Sequence, residues 1–224
     1  MERKKFLKNL FISATSLPLI VTDLYAGDPF KKKSADTTPC GDKLTPAVGE
    51  GPYYVDEKLN RSHIAESKTG IPLTLMFTVE DINCKPIQGA VVDVWHCDKD
   101  GVYSDAKAQG TTSKKWLRGY QATDANGKCT FQTIFPGWYN GRLTHIHGKV
   151  KVGTVTKQTT NFFIPKEIEQ AVFATPHYAR GQNPTTVEQD LELRGDKKSY
   201  EELMMHVTGD TKNGYIAKFT IVFS

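Results

Sequence analysis

From residue 71 onward the chain is cut into short runs of period-2 hydrophobicity, each closed by Gly, Asn or Asp. Ile71-Pro72-Leu73-Thr74-Leu75-Met76-Phe77-Thr78-Val79 alternates as a strand does, with successive side chains on opposite faces. The same pattern recurs over Gly89–His96, Gly119–Thr123, Cys129–Ile134, Leu143–Val152, Val155–Phe163 and Tyr215–Phe223. Runs this short predict an all-β fold, an antiparallel sandwich or barrel with long loops. Helical spacing is confined to Pro165–Ala174 and Ser199–Val207, giving one or two short helices, and residues 175–198 read as an irregular surface excursion. No internal repeat is present.

The charge balance is uneven. The 224 residues carry 29 basic and 25 acidic side chains, and Arg3, Lys4, Lys5 and Lys8 sit near the N-terminus against Glu2 and Asp23. Beyond residue 26 the chain carries 25 basic and 23 acidic residues, a net +2. That is too weak for a nucleic-acid footprint, and no apolar run reaches the roughly 18 residues of a spanning helix, so neither nucleic acid nor stable membrane insertion is expected. The basic head, the apolar stretch Phe11–Val21 and Ala26-Gly27 predict an export signal over residues 1–26, which places the protein in the periplasm or outside the cell. Arg3-Lys4-Lys5-Phe6-Leu7-Lys8 is similar to a twin-arginine signal with Lys in the second Arg position. Residues 27–43 read as a flexible leader and 44–224 as the folded domain. Export permits disulfides among Cys40, Cys84, Cys97 and Cys129. The turn signals beside Cys84 and Cys129 suggest that pair, leaving Cys40 with Cys97, although spacing alone allows three connectivities.

The densest chemistry lies in Pro136-Gly137-Trp138-Tyr139-Asn140-Gly141-Arg142-Leu143-Thr144-His145-Ile146-His147. Two histidines two apart on a strand point to one face, half of a metal site; the plainer alternative is a pair of hydrogen-bonded histidines on a polar face. Tyr139 lies six residues upstream across a Gly-rich turn, and Tyr103 follows the strand ending at His96. A tyrosine ligand must give up a proton of pKa about 10, which only a strongly Lewis-acidic ion achieves readily. Two phenolates, two neutral imidazoles and one hydroxide balance Fe(III).

Gly51-Pro52-Tyr53-Tyr54, Gly89-Ala90-Val91-Val92-Asp93-Val94-Trp95, Asp100-Gly101-Val102-Tyr103, Thr123-Asp124-x-x-Gly127, Pro136-Gly137-x-Tyr139 and Arg142-x-x-His145-x-His147 occur in this order. In them the chain resembles the intradiol ring-cleavage dioxygenases, most of all the compact, secreted, protocatechuate 3,4-dioxygenase-like members, from about Leu44 to the C-terminus. The resemblance implies a prealbumin-like sandwich holding Fe(III) through Tyr103, Tyr139, His145 and His147. It further implies Tyr139 as general base and Arg142 as the group that steadies a catecholic substrate during reaction with O2 to a cis,cis-muconate. Two departures stand out. The family often has Gln before an aromatic pair in the strand after His-x-His, whereas here Thr159-Thr160-Asn161 precede Phe162-Phe163; with Thr160 in that place, a supporting hydrogen bond is missing or supplied differently. The long helical N-terminal domain of catechol 1,2-dioxygenases is also absent, so any homodimer must form by other means.

Other residues take plainer readings. Tyr53 and Tyr54 either line the substrate pocket or anchor the core. Trp95 and Trp138 are read as packing, His96 as a core or edge residue, and His63, His177 and His206 as surface groups. Three further functions stay in view: a zinc hydrolase completing its site with His96, a non-catalytic sandwich binding protein, and a family member that binds iron but has lost turnover.

Overall fold

A computed structural model describes residues 44–224; the expected export signal, the leader and Cys40 lie outside the described residues. Eight strands form two four-stranded sheets. In chain order they are β1 (Pro72–Asp81), β2 (Val91–Trp95), β3 (Arg118–Ala122), β4 (Lys128–Ile134), β5 (His145–Val152), β6 (Val155–Phe163), β7 (His206–Asp210) and β8 (Gly214–Phe223). One sheet has the order β4-β1-β8-β7 and the other β3-β2-β5-β6. Helix α1 (Lys166–Phe173) follows β6, and α2 (Lys197–Glu202) precedes β7.

The alternation in the sequence sets which face of each strand is buried. Leu73, Leu75, Phe77 and Val79 of β1 are buried while Met76 between them is exposed. These residues share one apolar cluster with Phe131, Ala217 and Ile221 of the same sheet and Val92, Val94, Ile146, Val150 and Phe162 of the other. The two sheets therefore pack face to face, with Phe162 lying 4.8 Å from Phe77 and 4.9 Å from Phe219 between ring centroids.

Three expectations need correction. The body is not wholly antiparallel, since β1 and β8 pair in parallel from Leu73–Tyr215 to Asp81–Phe223. A hairpin forces neighbouring strands antiparallel, but β8 returns beside β1 after the whole intervening chain and no tight turn dictates its direction. The second helix ends at Glu202, and His206–Asp210 forms edge strand β7 against β8; this strand is short and mostly exposed, so its apolar alternation is weak. Neither expected disulfide forms. Cys84 is disulfide-bonded, but Cys97 and Cys129 are free thiols. Cys129 lies on β4 opposite Phe77 and joins the core, and Cys97 packs among Trp95, Tyr103 and Ala106, so each behaves as a small apolar side chain. Among the described residues no helix is long and apolar enough to cross a membrane.

Candidate metal centre

The site lies on the face of the β3-β2-β5-β6 sheet turned away from the shared core. On β5 the residues Ile146, Gly148 and Val150 point inward, and period 2 sends His145 and His147 outward together. Gly148 has to be glycine: a Cβ there would stand 2.4 Å from Phe162 Cε2. In register with His147 stand Trp95 on β2 and Asn161 on β6.

Two loops deliver the tyrosines. Tyr103 follows a turn capped by Asp98, whose Oδ1 accepts from the N–H groups of Asp100 and Val102 at 3.0 Å each. Gln109 Oε1 accepts from the Tyr103 N–H at 2.7 Å, and the Tyr103 carbonyl accepts from Thr111 Oγ1 at 2.6 Å. Arg118 pins the next residue, donating from Nε to Ser104 Oγ and from Nη2 to the Ser104 carbonyl, both at 2.7 Å. Tyr139 comes from the β4–β5 connection, where its carbonyl accepts from the Arg142 N–H at 3.2 Å.

The four polar tips converge. Tyr103 Oη lies 3.1 Å from His147 Nε2, which lies 3.1 Å from His145 Nε2, which in turn lies 3.3 Å from Tyr139 Oη. Tyr103, His145 and His147 are buried and Tyr139 is half-buried. Burial holds both imidazoles well below the usual histidine range, His147 further depressed by the facing His145 and His145 by nearby Arg142. Burial also raises the Tyr103 phenol well above its ordinary value and pushes Tyr139 up to about 12, against the opposing pull of Arg142. The pocket thus presents neutral imidazoles and phenols that a cation would have to ionise.

The donor set fits a hard, highly charged metal ion. His145 Nδ1 sits 2.5 Å from the Leu143 carbonyl, which can only accept, so the ring proton is on Nδ1 and Nε2 keeps its lone pair for a metal. The Asn161 amide nitrogen lies 3.0 Å from His147 Nδ1, while its Oδ1 accepts from Arg142 Nη2 at 2.5 Å. For His147 to offer Nε2 to a cation its Nδ1 must carry the proton, and Asn161 must then turn its oxygen toward it. Among the described residues no three His, Cys, Asp or Glu side chains are grouped to hold a metal ion, so a metal here requires the tyrosine oxygens. His96 does not complete such a site. It is fully buried, with Nδ1 2.8 Å from the Cys97 carbonyl and Nε2 2.8 Å from Thr133 Oγ1, which uses both nitrogens.

Aromatic rings wall the cluster. Trp95 lies parallel to His147 at 4.8 Å, Tyr53 stacks on Tyr103 at 4.4 Å, and Tyr54 packs on Trp95 at 4.7 Å. Tyr54 also donates from its hydroxyl to Asp93 Oδ2 at 3.1 Å, so its polar end turns away from the metal cluster. Trp95 is therefore more than core packing, since it fixes the plane of a candidate ligand. Trp138 is held away from the cluster, its Nε1 donating to the Gly181 carbonyl at 2.9 Å. His63, His177 and His206 are exposed.

Three supporting residues escaped the sequence reading. Thr160 is not the residue at the His pair: its Oγ1 donates to the Pro46 carbonyl at 2.8 Å, and Asn161 occupies the place beside His147. Counting in twos along β6 finds Asn161. Asp190 and Asn183, which hold Arg142, come from the irregular 175–198 excursion and carry no local signal.

With this geometry in hand, the comparisons with known proteins agree on a family. The Dioxygenase_C family model, described as a dioxygenase, matches residues 46–180, and the chain belongs to that family. Catechol 1,2-dioxygenase 1 of Acinetobacter lwoffii is 32% identical over 143 residues, covering 54% of this chain and 46% of that protein. Chlorocatechol 1,2-dioxygenase of Cupriavidus pinatubonensis is 27% identical over 143 residues, covering 53% of this chain and 54% of its own length. The chain thus spans about half the length of these curated relatives. Among solved structures, an intradiol ring-cleavage dioxygenase from Tetranychus urticae superposes with a TM-score of 0.72 at 29% identity, over 81% of this chain and 94% of that one. The dioxygenase domain of a carbohydrate-binding fusion from Streptomyces sp. SirexAA-E gives a TM-score of 0.58 at 28% identity, over 81% and 99%.

Proposed function

We propose that the protein is a non-haem Fe(III) intradiol dioxygenase, which cleaves a catechol-type ring with O2 to a cis,cis-muconate-type product. The observation that carries this reading is the convergence of two phenol oxygens and two imidazole Nε2 atoms within 3.1–3.3 Å of one another. Tyr103, Tyr139, His145 and His147 would hold Fe(III), which when bound supplies the Lewis acidity to ionise the phenols and the redox character to activate a catecholate toward O2.

The chain's own residues do the rest. Tyr139, half-buried and reached from a loop rather than a strand, is the tyrosine best placed to take a catechol proton at Oη, acting as the phenolate into which bound Fe(III) would convert it. Arg142 is 3% exposed, and its positive charge favours electron-rich states of a substrate held beside Tyr139. Trp95 and Tyr53 exclude water from the ligand plane, and Tyr53 packs against both tyrosines, stacked on Tyr103 at 4.4 Å and edge-on to Tyr139 at 6.2 Å. The two-sheet body is read as a prealbumin-like sandwich with its catalytic domain at residues 44–224. Residues 1–26 are read as an export signal and 27–43 as a leader, which would carry the enzyme to the periplasm or outside the cell.

The test is a visible spectrum with iron analysis on the purified protein, before and after anaerobic catechol, followed by oxygen uptake with a catechol panel. A tyrosinate-to-Fe(III) charge-transfer band that shifts on catechol addition, with oxygen uptake, is the expected result. A protein that stays colourless after ferric reconstitution and consumes no oxygen overturns the reading.

A further inference from the structure

Residues 175–198 are tied to the turn that carries Arg142. The Leu191 N–H donates to the Gly141 carbonyl at 3.0 Å, and Asn183 Nδ2 donates to the Arg142 carbonyl at 3.0 Å. Between these two ties the Asp190 carboxylate accepts from Arg142 Nε, at 3.2 Å to Oδ1 and 3.1 Å to Oδ2. Asp190 is 1% exposed and Arg142 3%, so this ion pair is removed from water.

Besides the arginine, the carboxylate serves the backbone on both sides. Oδ1 accepts from the N–H groups of Glu192 at 2.9 Å and Leu193 at 3.0 Å, as an aspartate does when it closes a turn of its own backbone. Oδ2 accepts from the Leu143 N–H at 2.8 Å and from Arg142 Nε, neither of which the turn needs. The guanidinium is planar and rigid, so holding the Nε edge fixes where the other two nitrogens point. Nη2 meets Asn161.

We infer that Asp190 is the positioning residue of Arg142, and that the 183–193 segment is a strap that delivers this carboxylate to the site. The inference rests on the dioxygenase reading only for its kinetic readout. Asp190 acts on the reaction through the plane of the guanidinium and touches no candidate metal ligand.

The test is a double-mutant cycle on the purified full chain reconstituted with ferric iron, using D190N, R142Q and the combination. Crystal structures of wild type and D190N supply a readout that needs no turnover. D190N is expected to turn the Arg142 guanidinium from its wild-type plane and to lower kcat at least about tenfold with KM changed less than about threefold. In the R142Q background the same change is expected to cost less than about twofold, because Asp190 then has nothing to orient. Equal losses in the two backgrounds, or an unmoved guanidinium in D190N, overturn the assignment. If D190N fails to fold but R142Q/D190N folds, the stranded arginine is the cause and the coupling stands. If the double variant also fails, Asp190 serves the strap's own backbone and the assignment falls. A wild-type chain that turns over no catechol sinks the dioxygenase reading, and the crystallographic comparison still decides the role of Asp190.

Discussion

Replacing Gly148 by alanine puts a methyl group where the Phe162 ring already lies. The new Cβ would stand 2.4 Å from Cε2 and 3.0 Å from Cζ, about 1 Å inside ordinary contact. The ring cannot simply slide away, because Phe77 and Phe219 sit at 4.8 and 4.9 Å on its other sides and Phe162 is fully buried. Overpacking of this kind costs about 1–3 kcal/mol. For a domain of this size each kcal/mol moves Tm by roughly 2–4 °C, so G148A should melt about 2–12 °C below wild type in a calorimetric scan. Because Gly148 follows His147 on β5, the displaced strand also moves a candidate metal ligand, and ferric iron should be lost more readily to a chelator. F162L removes the part of the ring that meets the new methyl, so the loss from combining the two changes should be smaller than the sum of the single losses by at least about 0.5 kcal/mol. A G148A protein melting within about 1 °C of wild type, or strictly additive losses, would show that Phe162 does not dictate the glycine.

Three shorter predictions follow from the site. Y139F should keep iron on the remaining ligands, alter the charge-transfer band and lower turnover about a hundredfold or more, as loss of a general base does; wild-type oxygen uptake would refute the role. N161L takes the amide away from His147 Nδ1, and metal affinity in a chelator competition should fall about 10–100-fold, while an unchanged affinity would mean that His147 is oriented by Trp95 alone. Burial pushes His96 from 6.5 down to about 4, so between these values the unfolded chain binds a proton that the folded chain does not. Folded stability is therefore lost as the pH falls through this window, and the advantage of wild type over H96Q in urea unfolding should shrink by about 3 kcal/mol between pH 7 and pH 4. A gap that does not change with pH would mean that His96 is not held neutral.

The free thiol of Cys129 shows how local cues mislead. Turn residues flank both Cys84 and Cys129, yet the register of β4 against β1 places Cys129 opposite Phe77 and inside the core. Burial pushes its thiol up to about 12, so it is poorly reactive as well as unpaired. Thr160 and Asn161 make the same point over a single residue: on a strand, one step moves a side chain to the opposite face.

Seven of the eight strands, the outward pair of histidines and the order Tyr103, Tyr139, Arg142, His145, His147 are legible in the sequence, because period-2 alternation and short spacings are local properties. The parallel pairing of β1 with β8, the edge strand β7 and the convergence of two loop tyrosines on one strand depend on contacts between distant segments, which no local pattern encodes. Asp190 shows that limit most sharply. It lies 48 residues from Arg142 in a stretch without periodicity, and only the packed strap brings its carboxylate to the guanidinium.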